Sequence, residues 1–236
     1  MYLDDAALDG GERMSMRVRR PGVRDGYDAW STTYDETPNP LVALDRRYTM
    51  RLLEPRPSER ILDAGCGTGA YLRLILLAGS SPFGLDLSRG MLRVARRRLP
   101  SVPLAQANLD DPLPVRGWVF DAVLCALVGE HLENVSLLFR EFSASLVAGG
   151  RLIFSVFHPE MAAAGIEANF EREGVEYRLG ARRYSVDDYV DAVDRSGFRG
   201  LRVHEFCGDA ALADEIPWAA KYLSRPLLLT VEARKT

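Results

Sequence analysis

Ile61-Leu62-Asp63-Ala64-Gly65-Cys66-Gly67-Thr68-Gly69 is an apolar run that ends in an acid and then carries glycine at every second position. Glycine reaches positive φ cheaply and leaves bare backbone against which a ligand can lie, so the three glycines read as a binding shelf. Residues 60–64 bring the chain to that shelf as a strand. Residues 70–76 leave it as a helix whose first amides face the ligand. A dinucleotide-binding turn needs its last glycine at position 70, where this chain has Ala70, so a nicotinamide dinucleotide fits poorly. Asp63 points the same way: a carboxylate beside the shelf repels a pyrophosphate and suits an ammonium group.

The next strand carries the matching signal. Ser81-Pro82-Phe83-Gly84-Leu85-Asp86-Leu87-Ser88 is a short apolar strand ending in an acid. Asp86 lies about 20 residues past the first turn, the spacing of a carboxylate that grips a ribose diol. Together the shelf, Asp63 and Asp86 indicate S-adenosylmethionine as the cofactor.

At this point the chain resembles the class I S-adenosylmethionine-dependent methyltransferases, in particular the small-molecule group. The blocks that carry the resemblance are D-x-G-C-G-T-G from Asp63, G-x-D-x-S-x-x-M-L from Gly84, F-D-x-V from Phe120 and L-x-x-G-G from Leu146. The resemblance covers roughly residues 25–205 in family order. The resemblance implies an α/β fold: a doubly wound, Rossmann-like, mostly parallel seven-stranded sheet with helices on both faces, an antiparallel last strand and a small helical cap. It also implies cofactor contacts from Asp63, Gly65, Cys66, Gly67, Gly69, Asp86, Leu87, Met91, Asn108, Leu109, Ala126 and Tyr34. Relatives usually carry Asp where Asn108 stands, but an amide oxygen can still accept a hydrogen bond from the adenine amine.

The strand and helix pattern places these blocks. Residues 102–107 read as a third strand and 121–127 as a buried fourth. Residues 136–146 form an amphipathic helix ending at Ala148-Gly149-Gly150, a turn that launches a fifth strand over 151–157. A helix over 185–197 precedes a strand over 200–206, and residues 227–233 supply the last strand. Residues 1–24, with Gly10-Gly11 and the cluster Arg17, Arg19, Arg20 and Arg24, lack apolar periodicity and are expected to form a flexible tail before a single domain over 25–236. Residues 25–55 hold two helices that resemble the family's N-terminal lid; the simpler alternative is a helix packing its aromatic face on the sheet. The insertion at 158–184 is expected to form the substrate cap.

Composition bounds the function. The 236 residues, 47% of them hydrophobic, can bury one sizeable core. A net charge of −3 gives no basic excess for holding nucleic acid, and no N/D-P-P-Y/F motif follows the fourth strand, where Ala126-Leu127-Val128-Gly129 stands. The apolar runs are too short to span a bilayer, and the acidic start has no signal-peptide form. Cys66, Cys125 and Cys207 show no CxxC spacing, which fits reduced thiols in a cytoplasmic protein better than disulfides or a zinc site. No metal-ligand set is evident around Asp110 and Asp111. The expected partner is a small-molecule methyl acceptor, with neither nucleic acid nor membrane, in a monomer or homodimer.

Open α/β sheets place chemistry at the carboxyl ends of their strands. There the chain sets Glu130-His131 after the fourth strand and His158 after the fifth. A histidine with an ordinary pKa near 6.5 could assist removal of a phenol proton, so His131 is a candidate general base with Glu130 orienting it, and His158 a second candidate. Each has a plain structural alternative as a cap or pocket support. Tyr27, Trp30, Phe157, Met161, Phe170 and Trp218 are candidate substrate contacts. The leading expectation is O- or C-methylation of a small, aromatic or phenolic metabolite, a role of the kind met in secondary metabolism. The alternatives are a carboxylate or amine acceptor methylated by orientation alone, and a cofactor-binding regulatory or scaffold protein without catalysis.

Overall fold

A computed structural model of the chain describes residues 17–115 and 119–236. Seven strands form the main sheet: β2 (Arg60–Ala64), β3 (Ser81–Asp86), β4 (Leu104–Gln106), β5 (Phe120–Ala126), β6 (Leu146–Phe157), β9 (Phe198–Cys207) and β10 (Pro226–Lys235). Their spatial order is β4-β3-β2-β5-β6-β10-β9. The first five run parallel, and β10 inserts antiparallel between β6 and β9. This is the expected mostly parallel seven-stranded sheet with an antiparallel last strand.

Side-chain alternation explains why the central strands are apolar throughout. Ile61, Ala122, Leu124 and Ile153 share one cluster with Leu53 and Ile75, while Leu62, Val123, Cys125, Leu152 and Phe154 share the other with Phe139 and Tyr189. Successive residues face opposite layers, so both faces need apolar side chains. Leu53 belongs to α2 (Pro40–Leu53) and Ile75 to α3 (Ala70–Leu77); Phe139 comes from α5 (Val135–Ser145) and Tyr189 from α7 (Val186–Asp194). Pro40 at the first turn and the Asn39 side chain accepting from Leu41 N and Val42 N start α2. Ser185 and Asp188 form a capping box at α7.

A second sheet has three strands, with β1 (Arg17–Arg19) beside β8 (Val175–Arg178) and β8 beside β7 (Asn169–Arg172). It corrects two expectations. Residues 17–24 are not tail: β1 pairs parallel with β8, and α1 (Val23–Trp30) follows at once. Residues 1–16 of the expected tail lie outside the described residues. The cap is β-sheet rather than helical, since the insertion holds one short helix, α6 (Pro159–Ala163), before the β7–β8 hairpin. Glu173 and Gly174, with φ of 54° and 70°, form its two-residue turn.

Two strand boundaries also differ. The third strand is shorter than expected. The fifth begins directly after α5, and Gly149, with φ of 73°, forms an irregularity within β6, where the pairing with β5 jumps between Phe120 and Ala122. No helix among the described residues is long and apolar enough to cross a membrane.

Candidate active site

The chain enters the site from β2. Gly65 N and Cys66 N both donate to Leu85 O, at 2.7 and 2.8 Å, which fastens the glycine turn to the end of β3. Gly65, Gly67 and Gly69 all have positive φ. A Cβ on Gly65 would lie 2.3 Å from Val128 Cγ2, whereas one on Gly67 would meet nothing within 4 Å and would project into open space. Gly67 is therefore the exposed part of the shelf.

Asp86 closes the far side. Its Oδ2 accepts from Gly67 N and its Oδ1 from Ser88 N, both at 2.8 Å. Each oxygen keeps a lone pair for a further donor. Burial pushes the Asp86 carboxyl up to about 6, against the lowering effect of these amides. Asp63 lies behind the turn, 1% exposed, and both of its carboxylate oxygens are buried without a hydrogen-bond partner. Burial first, then Asp86 and Asp45, hold it well above the usual carboxylate range. Asp45, on α2, accepts from Thr49 Oγ1 at 2.6 Å and from the Tyr71 hydroxyl. A buried carboxyl costs several kcal/mol to ionise unless a cation or donors meet it. The unpartnered Asp63 thus fits a cofactor carrying positive charge.

The glycine turn, Asp45, Tyr71 and Asp86 line a cavity of about 690 Å³ at the carboxyl ends of the parallel strands, while Asp63, expected from sequence as a contact, lies outside its lining. Seven carboxyl side chains line it against two guanidiniums, Arg24 and Arg46. Of the residues expected from sequence, Tyr34, Gly65, Cys66, Gly67, Asp86, Leu87, Met91, Asn108, Leu109 and Ala126 line it, as do Tyr27 and His131. The Asn108 amide oxygen accepts from Asp110 N at 3.2 Å. Gly69 instead lines an adjoining groove.

Leu127, with φ of 55°, turns the chain sharply after β5 and leads into a single 3-10 turn at Gly129–His131. His131 Nε2 lies 2.9 Å from the Tyr27 hydroxyl, and the two rings meet edge to face. His131 Nδ1 is buried without a partner, and burial lowers the ring to about 4. The expected pairing with Glu130 is not formed. Glu130 is buried and outside the cavity lining, its Oε2 lacks a partner, and burial pushes its carboxyl up to about 7.

The remaining expected contacts lie elsewhere. His158 caps α6, its Nδ1 accepting from Glu160 N at 3.3 Å, with Nε2 3.9 Å from Glu205 Oε1. Phe157 and Met161 are core residues. Trp30 and Phe170 stack with centroids 4.9 Å apart in a cluster with Leu179 that joins α1 to the small sheet. The aromatic face of α1 thus packs on that sheet. Trp218 is 39% exposed beside Lys221.

Sequence reasoning missed Asp28, whose Oδ1 accepts from Ser88 Oγ and Gly90 N at 2.6 Å each. These are the first turn and cap of α4 (Arg89–Arg98), immediately after Asp86. A Cβ on Gly90 would lie 2.9 Å from Asp28 O, so the small residue permits this close approach. It also missed Asp45, although an acid on the apolar face of α2, between Leu41, Leu44 and Thr49, is a readable signal.

Residues 62–154 match the family model of a methyltransferase domain. A demethylmenaquinone methyltransferase of Tropheryma whipplei (strain Twist) is 30% identical over 150 residues, 60% of this chain and 62% of that protein. A malonyl-[acyl-carrier protein] O-methyltransferase of Serratia marcescens is 29% identical over 141 residues, 58% of this chain and 53% of that protein. The chain therefore matches less than two thirds of the length of these relatives. The structure of an S-adenosylmethionine-dependent methyltransferase from Mesorhizobium loti superposes with a TM-score of 0.69 at 29% identity, covering 84% of this chain and 100% of that one. The [4+2]-cyclase SpnF, at 17% identity, shares the fold with a TM-score of 0.68 over 93% of this chain and 98% of its own.

Proposed function

We propose that the chain is a class I S-adenosylmethionine-dependent methyltransferase that methylates a small aromatic or phenolic acceptor, on oxygen or on a ring carbon; the match to a methyltransferase domain and the shared fold support this reading. The observation that carries the cofactor assignment is Asp63, a buried and unpartnered carboxyl behind the glycine turn of a cavity dominated by acids. Bound there, the cofactor supplies an activated methyl group on a cationic sulfur.

The chain's own residues then bind, orient and exclude water. Asp86 would accept from the ribose hydroxyls, with the Gly67 backbone beneath them. Asp63 would face the cationic methionine end, directly or through water. Met91, Leu109 and Asn108 would border the adenine. Tyr27 and Tyr34 would cover the reacting end, their rings 6.2 Å apart. Their apolar faces and polar tips suit an aromatic hydroxyl compound. The acceptor is argued from this cavity, since the relatives named above have acceptors as unlike as demethylmenaquinone and malonyl-[acyl-carrier protein].

His131 serves here as a positioning residue rather than the general base expected from sequence. A ring lowered to about 4 is neutral at pH 7 and holds a proton poorly; with the proton on Nδ1, its Nε2 would accept from the Tyr27 hydroxyl and fix that ring. The transfer then rests on alignment and exclusion of water. Purified protein incubated with the cofactor and a panel of phenols should give, by mass spectrometry, a product heavier by one methyl group. A panel without any such product, from protein that binds the cofactor, would contradict the acceptor class. His131→Gln, which keeps an acceptor atom, should retain most of the turnover that His131→Ala loses. Equal losses in both variants, with a changed pH profile, would restore the base.

A further inference from the structure

We infer that the methyl acceptor carries an acidic group, a carboxylate or a phosphate, held by Arg46 and Arg73 in a basic groove beside the methyl-transfer cavity. This deepens the reading above and rests on it. The groove, of about 800 Å³, shares Tyr34, Asp35, Val42, Arg46 and Ala70 with the cofactor cavity, so one molecule can extend from one into the other. Its walls are set by α2, α3 and the end of α4.

The two spaces have opposite charge. Two acids, Asp35 and Glu215, line the groove against four guanidiniums, in a chain whose net charge is −3. Arg98 is paired with Asp35 at 2.6 Å, and Arg47 with Asp209 and Glu215 at 3.1 and 3.2 Å. Arg46 and Arg73 neither hydrogen-bond nor ion-pair with any described residue; Arg46 acts on the neighbouring Asp45 carboxyl only through space. An acidic group on the acceptor would find its counter-charge at these two solvent-exposed forks, which present paired donors to a carboxylate or phosphate. Leu74, Leu99 and Ile216 give the groove apolar walls, so the body attached to the acid is hydrophobic.

The test is calorimetry on the full chain saturated with S-adenosylhomocysteine, using 1-naphthoate, 1-naphthyl phosphate and the neutral 1-naphthamide as probes. At least one anion should bind about tenfold more tightly than the amide, with the better anion identifying the acid class. Arg73→Gln should bring that preference to below about threefold. Its affinity for S-adenosylhomocysteine should be unchanged, because Arg73 lies outside the cofactor cavity. Arg46→Gln should reduce the preference as well. An amide bound as tightly as both anions, or a preference intact in both variants, overturns the inference and leaves the methyl-transfer reading standing. Failure of S-adenosylhomocysteine itself to bind overturns both.

Discussion

Asp86 carries the most exposed prediction at the scale of single residues. A carboxylate gains a ribose diol's two hydrogen bonds fully only when ionised, and burial puts its titration at about 6. A raised carboxyl is ionised above that value and protonated below it. Affinity for S-adenosylhomocysteine should therefore fall by about tenfold between pH 7.5 and pH 5. Asp86→Asn should bind more weakly at pH 7.5 and lose most of that dependence; an unaltered pH profile in the variant would remove Asp86 from the site. Gly67→Val should abolish binding, because its side chain would fill the open space over the shelf. The left-handed backbone there costs a branched residue roughly 1–2 kcal/mol, so the thermal midpoint should drop by only about 2–8 °C. Asp63, Gly67 and Asp86 were legible because a turn motif fixes both residue type and spacing. For Asp45 only its burial was legible, from its place on the apolar face of α2; nothing local says that α2 sets it against Tyr71 of α3.

Elements that meet through distant pairings were the least legible. Arg17-Val18-Arg19 has no apolar periodicity and becomes a strand only by lying against β8, more than 150 residues later. The hairpin of the small sheet did leave a local mark, the Glu173-Gly174 turn, but the insertion's scattered aromatics gave no helical or strand period to go with it. Among the helices, α1 is held to α4 by Asp28, a carboxylate accepting at a helix N-terminus, where it is favoured. Neighbouring donors keep Asp28 below the usual carboxylate range despite the cost of its partial burial. Asp28→Ala should speed amide hydrogen exchange across α1 by about tenfold or more while β2 and β5 keep their protection. Unchanged exchange in α1 would show that the stacked Trp30 and Phe170 hold the helix without this bond.

Over the whole molecule, the mostly parallel sheet with its antiparallel last strand was legible from the alternation of strands and helices and from the family resemblance, and the long-range fastenings were not. One of these is the fork between Arg151 at β6 and Glu59 before β2, with 2.7 and 2.6 Å contacts and side chains 10% and 15% exposed. Arg151 holds the Glu59 carboxyl below its ordinary value, so the stabilisation is full above pH 4.3 or so and is lost as pH falls through the lowered value. Glu59→Gln should cost about 1.5–3 kcal/mol at pH 7, read by urea unfolding, and the difference from the parent should shrink in acid. What the cavity created by this sheet holds is decided by calorimetric titration with S-adenosylmethionine, S-adenosylhomocysteine and NADH in separate runs. The two sulfur compounds should bind and NADH should not. Binding of NADH, or of neither sulfur compound, would contradict the assignment of the glycine turn, Asp63 and Asp86 to a methyl-donor site.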